Sequence, residues 1–570
     1  MATAPDFRWG PVICPVADGS SITVWTQDFS TYAQRLTASG LPEPGWPADN
    51  GLNVAPDAPV APYMQCSPRT ISDEAGGAFI VWHDQRNSGC QHSCWGEWKE
   101  LYATHIGPDG RVLPGWSSAG QPIGSAKNWM LDFAGDRSGA LEDFNTVLAP
   151  DGHGGFFAVW KEQVYPAYSG AVAGIHAQRV AGDGQLLWGT RGILVAQAPG
   201  IQALPALVGT PDGGAVLVWQ DSREDSTAFR IYGQRLTPDG APLWSMNGRP
   251  LSAGLIRNEQ SPVIGGLSHG DVVVGWQAGP SPDSTVFLTQ RLQADGTRRW
   301  PQDMAISGSL GRRSRLSAAV ERAGAAWFAW VEGSPAAGGH IAATKLDEDG
   351  TPACGWLSGG NPVSSASDTI TDLPLLVPTD AGGAYVAWLE GSLPRASRLT
   401  ATGAVAAGWP LHGLVLSQSL WGGNQLTVAA DGEQGAYVAW YEGSMPDDQY
   451  DEIRVQRLSR TGVWNGPLPN SDPVPDSCVK ATKPIFAGFN PNPVRLATAA
   501  VSFVLALPGP VRLELYDLTG RRLAAQDFGS LGAGRHTLPL TMDNHAPPGV
   551  YFVRLTQSGR TATARGVILP

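Results

Sequence analysis

The chain has 570 residues, too many for one small core, so several domains or a long repeat array are expected. High Gly (71) and Pro (46), with sparse Lys and Glu, favour short strands joined by tight turns, and 22 Trp are the largest anomaly. The net charge of −12 is uneven: residues 487–570 hold eight Arg against Glu514, Asp517, Asp527 and Asp543, a net of +4 that leaves −16 elsewhere. This argues against nucleic acid as a partner, and no apolar run is long enough to span a membrane.

The opening MATAPDFRWG has neither the basic nor the apolar region of a signal peptide: either the chain is not exported or it is a mature form with a replacement Met1, and the C-terminal resemblance given below favours the second. An apolar run ending in Trp then recurs: GSSITVW, GGAFIVW, GGFFAVW, GGAVLVW, GDVVVGW, GAAWFAW, GGAYVAW and QGAYVAW. These end at Trp25, Trp82, Trp160, Trp219, Trp276, Trp330, Trp388 and Trp440, spaced 52–59 residues apart except for one interval of 78. Each is followed by an alternating segment such as IYGQRLTPDG, which reads as a two-faced strand ending in an Asp-Gly turn. A second Trp follows, at 46, 116, 188, 244, 300, 356, 409 and 464, and leads into a short segment such as GRPLS.

Each unit therefore reads as four strands, a to d, with Gly-rich turns between a and b and between c and d. Sixteen of the 22 Trp fall at the two repeat positions, so they are read as packing between units rather than as ligands. Four-stranded units of this size point to an all-β fold, an eight-bladed β-propeller over residues 1–468. Phe7–Gly10 is expected to add an outer strand to the last blade, because RWG echoes the LWG of Leu187–Gly189. The units VWHDQRN (Val81–Asn87) and VWQDSRED (Val218–Asp225), with their IYAQRL-like segments, resemble bacterial extracellular propeller-like repeats. That resemblance implies the fold and no activity.

Residues 469–489, rich in Pro, Asn and Asp, read as a linker. Beyond it, AAVSFVLAL, VRLELYDL, RHTLPLT, GVYFVRLT and ATARGVIL alternate as in an immunoglobulin-like β-sandwich over 490–570. NPNP (Asn490–Pro493), VRLELYDLTGRRL (Val511–Leu523), GRHTLPL (Gly534–Leu540) and PPGVYFVRL (Pro547–Leu555) resemble the C-terminal sorting domain of type IX secretion cargo and the immunoglobulin-like domain of flagellar hook-capping proteins. The resemblance implies the type IX secretion machinery as a partner and a secreted or cell-surface destination. The terminus GVILP departs from the basic ending usual in sorting domains.

An even count of six cysteines in an exported chain suggests disulfides, with Cys90 and Cys94 closing a small loop and Cys14 and Cys66 on neighbouring inner strands. His83, Cys90, His92 and Cys94 also have zinc-ligand chemistry, but an oxidising compartment disfavours that reading, and no metal or cofactor is expected.

Length variation falls in the b–c and d–a loops, so their face is the candidate binding face. The largest insertions, in units two and three, supply Trp95, Trp98, Trp129, Phe133, Tyr165 and Tyr168, with Asp84 and Glu162 beside them. Rings and carboxylates together suit a glycan or protein ligand, though such rings also pack long loops together. The acids that follow the first Trp by two residues (Asp84, Glu162, Asp221, Glu332, Glu390 and Glu442) recur too regularly for a catalytic pair, and read as structural. The preferred reading is a secreted or cell-surface binding propeller, and the alternative is a glycosidase on the same scaffold.

Overall fold

A computed structural model describes residues 8–87, 99–126, 146–162, 174–459, 462–463 and 485–569, apart from short stretches within these spans. The longest of those stretches are 60–64, 365–369, 418–422, 443–451 and 540–546. Among the described residues every regular element is a strand, and no helix is long and apolar enough to cross a membrane. The chain divides into two compact bodies. The larger comprises Met1–Ala305, Ser309–Thr351 and Pro362–Asp472; the smaller comprises Ile306–Gly308, Pro352–Asn361 and Pro473–Pro570.

Among the described residues, the strands of the larger body fall into eight four-stranded antiparallel sheets, each with its strands in chain order. In the second sheet the order is Gln65–Ser72, Ala78–Asp84, Lys99–Ile106 and Gln121–Ala126. Every apolar run ending in Trp forms the second strand of its sheet, from Ser21–Gln27 in the first to Ala436–Glu442 in the last. These strands are apolar on both faces because a sheet lies against each. Ala78, Ile80 and Trp82 pack with Val24 and Trp46 of the first unit, whereas Phe79 and Val81 pack with Phe156, Ala158 and Trp160 of the third. Alternation along one strand thus serves two seams, so a run of hydrophobic residues replaces the polar–apolar alternation of a half-exposed strand.

The first strands carry a shared irregularity. Register shifts fall after Trp9, Cys66, Ala203, Gln260, Ser314 and Asn424. At each shift one residue lies at positive φ: Gly10, Ser67, Leu204, Ser261, Arg315 or Gln425. A proline follows in four of them (Pro11, Pro68, Pro205 and Pro262), tolerated because a bulge frees it from donating to the ladder.

First strands of successive sheets lie against one another, and Gly423–Ala430 of the last lies against Arg8–Pro15 of the first. Ile13 packs with Ala429, Tyr437 and Ala439 across this closing seam. Gln425 Oε1 accepts from the Gly10 amide at 2.6 Å, Arg457 donates to the Ala38 carbonyl at 3.0 Å, and the Tyr437 hydroxyl donates to the Gly19 carbonyl. Sheets radiating from a closed circle of first strands are a β-propeller. Arg8–Pro15 pairs with Ser21–Gln27 and so is the innermost strand of the first sheet. The expected outer strand from Phe7–Gly10 is thereby corrected: the Trp9 motif leads into an inner strand, while LWG precedes an outer one.

In the smaller body, Ile485–Phe489, Ala500–Leu505 and Gly534–Pro539 form a three-stranded sheet. Val494–Arg495, Arg560–Leu569, Gly549–Gln557, Gly509–Tyr516 and Arg522–Leu531 form a five-stranded one, in that order. Val501 and Phe503 of the first sheet share a core with Leu513, Leu515, Tyr551, Val553 and Leu555 of the second. The alternation in VRLELY and YFVRL therefore marks strands with one buried face. Of the expected linker, residues 469–484 lie outside the described residues and the rest forms Ile485–Phe489.

The expected disulfide between Cys14 and Cys66 is absent: both are buried thiols. Their strands are neighbours, but Cys14 sits opposite Ile22 near the a–b turn and Cys66 opposite His83 at the other end. Cys14 Sγ instead meets Thr70 Oγ1 at 3.5 Å. Cys90 and Cys94 lie outside the described residues, whereas Cys354 is disulfide-bonded.

Candidate functional site

The b–c loops leave the second strands just past the first Trp of each unit, where the recurring acids stand. In unit two the Trp82 indole donates to Asp84 Oδ2 at 2.9 Å. Arg86 grips the same carboxylate through Nε at 2.9 Å and Nη2 at 2.6 Å, and lies 4.1 Å over the Tyr102 ring. Its remaining arm donates to the Ala119 carbonyl at 2.7 Å. Unit four repeats this with Trp219, Asp221, Arg223 over Tyr232 at 4.1 Å, and the Asn247 carbonyl. The W-x-D-x-R pattern is therefore one cluster: the indole and guanidinium neutralise and satisfy a buried acid, and the tyrosine ring carries the guanidinium.

The other units vary the theme. Gln27 replaces the acid in unit one and accepts from Trp25 at 3.1 Å. Glu162 faces His176 Nε2 at 3.3 Å, and that imidazole stacks on Trp160. Glu332 accepts from Trp330 at 2.9 Å and from Arg313 at 2.7 Å. Glu390 pairs with Arg395, and Glu442 with Arg454. In unit five Ala278 stands in the acid's place, and the buried Trp276 N–H has no partner. Each of the six recurring acids has a cationic or histidine partner inside its own unit, which is scaffold chemistry.

Of the residues expected to bind ligand, Asp84 and Glu162 are buried in these clusters. Trp95, Trp98, Trp129, Phe133, Tyr165 and Tyr168 lie outside the described residues. The structure adds Arg86, Tyr102, Arg223 and Tyr232 to the loop face, legible in the x-R of VWHDQR and VWQDSR and in the Tyr of IYGQRL. Tyr102 donates to Glu100, while the Tyr232 hydroxyl donates to Glu224. Burial and that bond push the Tyr232 phenol up to about 12. The Glu224 carboxyl is held below its ordinary value by the bonds from Tyr232 and Arg230. Beside it, Asp225 is held down to about 2 by Thr227 and Arg257. This polar rim of unit four is self-neutralised by its own arginines. Among the described residues no group of three or more His, Cys, Asp or Glu side chains could hold a metal ion; of the zinc-type set, His83 meets Thr146 Oγ1 at 3.1 Å, and the other three lie outside the described residues.

No family model and no curated protein matches the chain. Among solved structures, puromycin hydrolase is 14% identical with a TM-score of 0.36, covering 88% of this chain and 59% of that one. A Dyadobacter fermentans DSM 18053 protein of unknown function is 10% identical (TM-score 0.35), covering 69% of this chain and 94% of that one. An α-L-arabinofuranosidase from Lactobacillus brevis is 15% identical (TM-score 0.28), covering 52% and 94%. The chain thus spans 59% of the hydrolase's length, and likenesses at this level say nothing of activity.

Proposed function

We propose that the chain is an eight-bladed propeller acting as a secreted or cell-surface binding protein, with a glycan or protein ligand on the b–c/d–a loop face, exported through an immunoglobulin-like C-terminal sorting domain. The observation that carries the binding reading is the engagement of all six recurring acids by indole, arginine or histidine partners. None stands free to serve as a glycosidase acid or nucleophile, and ligand recognition then rests on the insertions of units two and three, with Trp95, Trp98, Trp129, Tyr165 and Tyr168.

Two features support the export reading. The Tyr551 hydroxyl donates back to the Pro547 carbonyl, as in the tyrosine corner of immunoglobulin-like sandwiches. The Cys354 disulfide suits an oxidising compartment. A glycan array probed with the full chain and with a Trp95→Ala/Trp98→Ala variant tests the binding reading. Signal lost in the variant supports it; turnover of an arrayed polysaccharide replaces it with the glycosidase. Fusing residues 480–570 to a reporter in a host with type IX machinery tests export, and a reporter held in the periplasm refutes it.

A further inference from the structure

The seams between units share one polar device. In unit one Arg35 pairs with Asp18 of its own a–b turn and donates to the Pro108 carbonyl in the c–d turn of unit two at 3.0 Å. Arg179 does the same with Asp151 (2.9 Å) and Pro238 O (3.2 Å). Arg235 uses Asp212 (2.8 Å) and Ala294 O (3.2 Å). Arg291 uses Asp271 (3.0 Å) and Glu348 O (3.3 Å). Arg457 uses Asp431 (2.9 Å) and Ala38 O (3.0 Å). Lys345 bridges Glu321 (2.7 Å) and the Gly382 carbonyl (3.3 Å). A permanent cation in each case serves two acceptors, one in each unit.

Unit two departs from this. His105 occupies the position, with Nε2 2.9 Å from Asp73 Oδ2 and Nδ1 3.1 Å from the Gly182 carbonyl of unit three. Its ring lies 4.0 Å from Phe79 and edge-on to Trp116, and is buried. The facing ionisable group is Asp73; the neighbouring turns add Asp109 in unit two and Asp183 in unit three. Burial works against the Asp73 carboxylate, but the bonds from His105, Ala75 and Gly77 outweigh it and keep Asp73 ionised below its ordinary pKa. Both neighbours of the imidazole are therefore acceptors. The imidazolium donates to both; neutral imidazole has one N–H and leaves a lone pair facing an oxygen.

We infer that the seam between units two and three is a pH-responsive joint, tight while His105 is protonated and loosened when it is neutral. The other bridges described above are built on permanent cations, Arg or Lys. Units two and three also bear the largest insertions, but the joint lies among the a–b and c–d turns, at the opposite end of the sheets from the candidate binding face, and the inference does not rest on any ligand.

The experiment is hydrogen–deuterium exchange on the full chain at pH 5.5 and 8.0, corrected for intrinsic rates. Peptides covering Lys99–Ile106 and Gly174–Val180 are compared with Ser284–Leu292, which carries the Arg291 bridge, as an internal control. The expected result is about fivefold less protection at pH 8.0 in the first two only, the factor one ordinary hydrogen bond supplies. His105→Arg is expected to abolish the difference. His105→Gln, uncharged at both pH values, is expected to abolish it too, at the weaker level of protection. Equal protection at the two pH values in the parent chain overturns the inference, as does a difference that survives in either variant.

Discussion

Trp188 donates its indole N–H to the Pro238 carbonyl at 2.9 Å, fastening the third unit to the c–d turn of the fourth. The same bond runs from Trp46 to Pro108 and from Trp116 to Gly182, both at 2.8 Å. The second Trp of the repeat is thus a latch as well as a filler. Trp188→Phe is expected to lower unfolding stability by about 1–2 kcal/mol, through one lost bond and some lost volume. Trp244→Phe should cost less, since its bond to Ala294 is 3.4 Å and its ring is partly exposed. Denaturant titration of both variants ranks them.

The closing seam uses the same bridge as the internal ones. Arg457→Met leaves the buried Asp431 without its cation, as Arg179→Met does for Asp151. Each is expected to cost about 3–5 kcal/mol, and the two should agree within about 1 kcal/mol. Thermal and denaturant unfolding measure both. A much smaller loss for Arg457 would mean that the closing bridge contributes little.

Gly248 lies at φ +82°, and a Cβ there would sit 2.5 Å from Trp219 Cη2 and 2.8 Å from the Gly233 carbonyl. Gly40 has nearly the same φ, +81°, with open space around it. Gly248→Ala is expected to cost about 2–4 kcal/mol and Gly40→Ala about 1 kcal/mol, so that their difference isolates the clash. Melting temperatures of the two variants provide the comparison.

Glu259 is buried; one oxygen accepts from the Ile231 amide at 3.3 Å and from Ser252, and the other has no partner. Burial raises its pKa. Because the folded value lies above the unfolded one, its contribution is present at acid pH and is lost as pH rises through the raised value. Glu259→Gln, matching Gln65 and Gln202 at the starts of other first strands, is expected to remove that loss and to add of order 1 kcal/mol at pH 7. Unfolding across pH 4–8 gives the result.

The Cys14 thiol is pushed up to about 12, chiefly by burial. Iodoacetamide at pH 8 is expected to leave it unmodified in the folded protein and to label it in denaturant, with peptide mass spectrometry as the readout.

The fold was legible where residue type and period coincide. Trp at one place per unit, apolar residues on both faces of the preceding run, and a terminal Asp-Gly each had one structural explanation. The polar pattern was harder to read, because Asp84 and Arg86 show their meaning only once Tyr102 and the Ala119 carbonyl arrive from other strands. Regular recurrence already marked the six acids as scaffold, but a carboxylate beside tryptophan also suits a sugar site, so Asp84 and Glu162 stood among the ligand-binding candidates as well. Neighbouring strands alone also misled for Cys14 and Cys66, since adjacency in order says nothing of height along the strand.

Arg8–Pro15 pairs with a strand of its own sheet and lends no ladder to the last one. The circle is joined by the arginine bridge also found between units one and two, three and four, four and five, and five and six, so it contains no privileged buckle. A gene could therefore gain or lose a whole repeat, or be reopened between any two, without rerouting a strand. The uneven decay of the motif, complete around Trp219 and stripped to Ala278 and Leu288 beside Trp276, is the record such a history of copying and drift would leave.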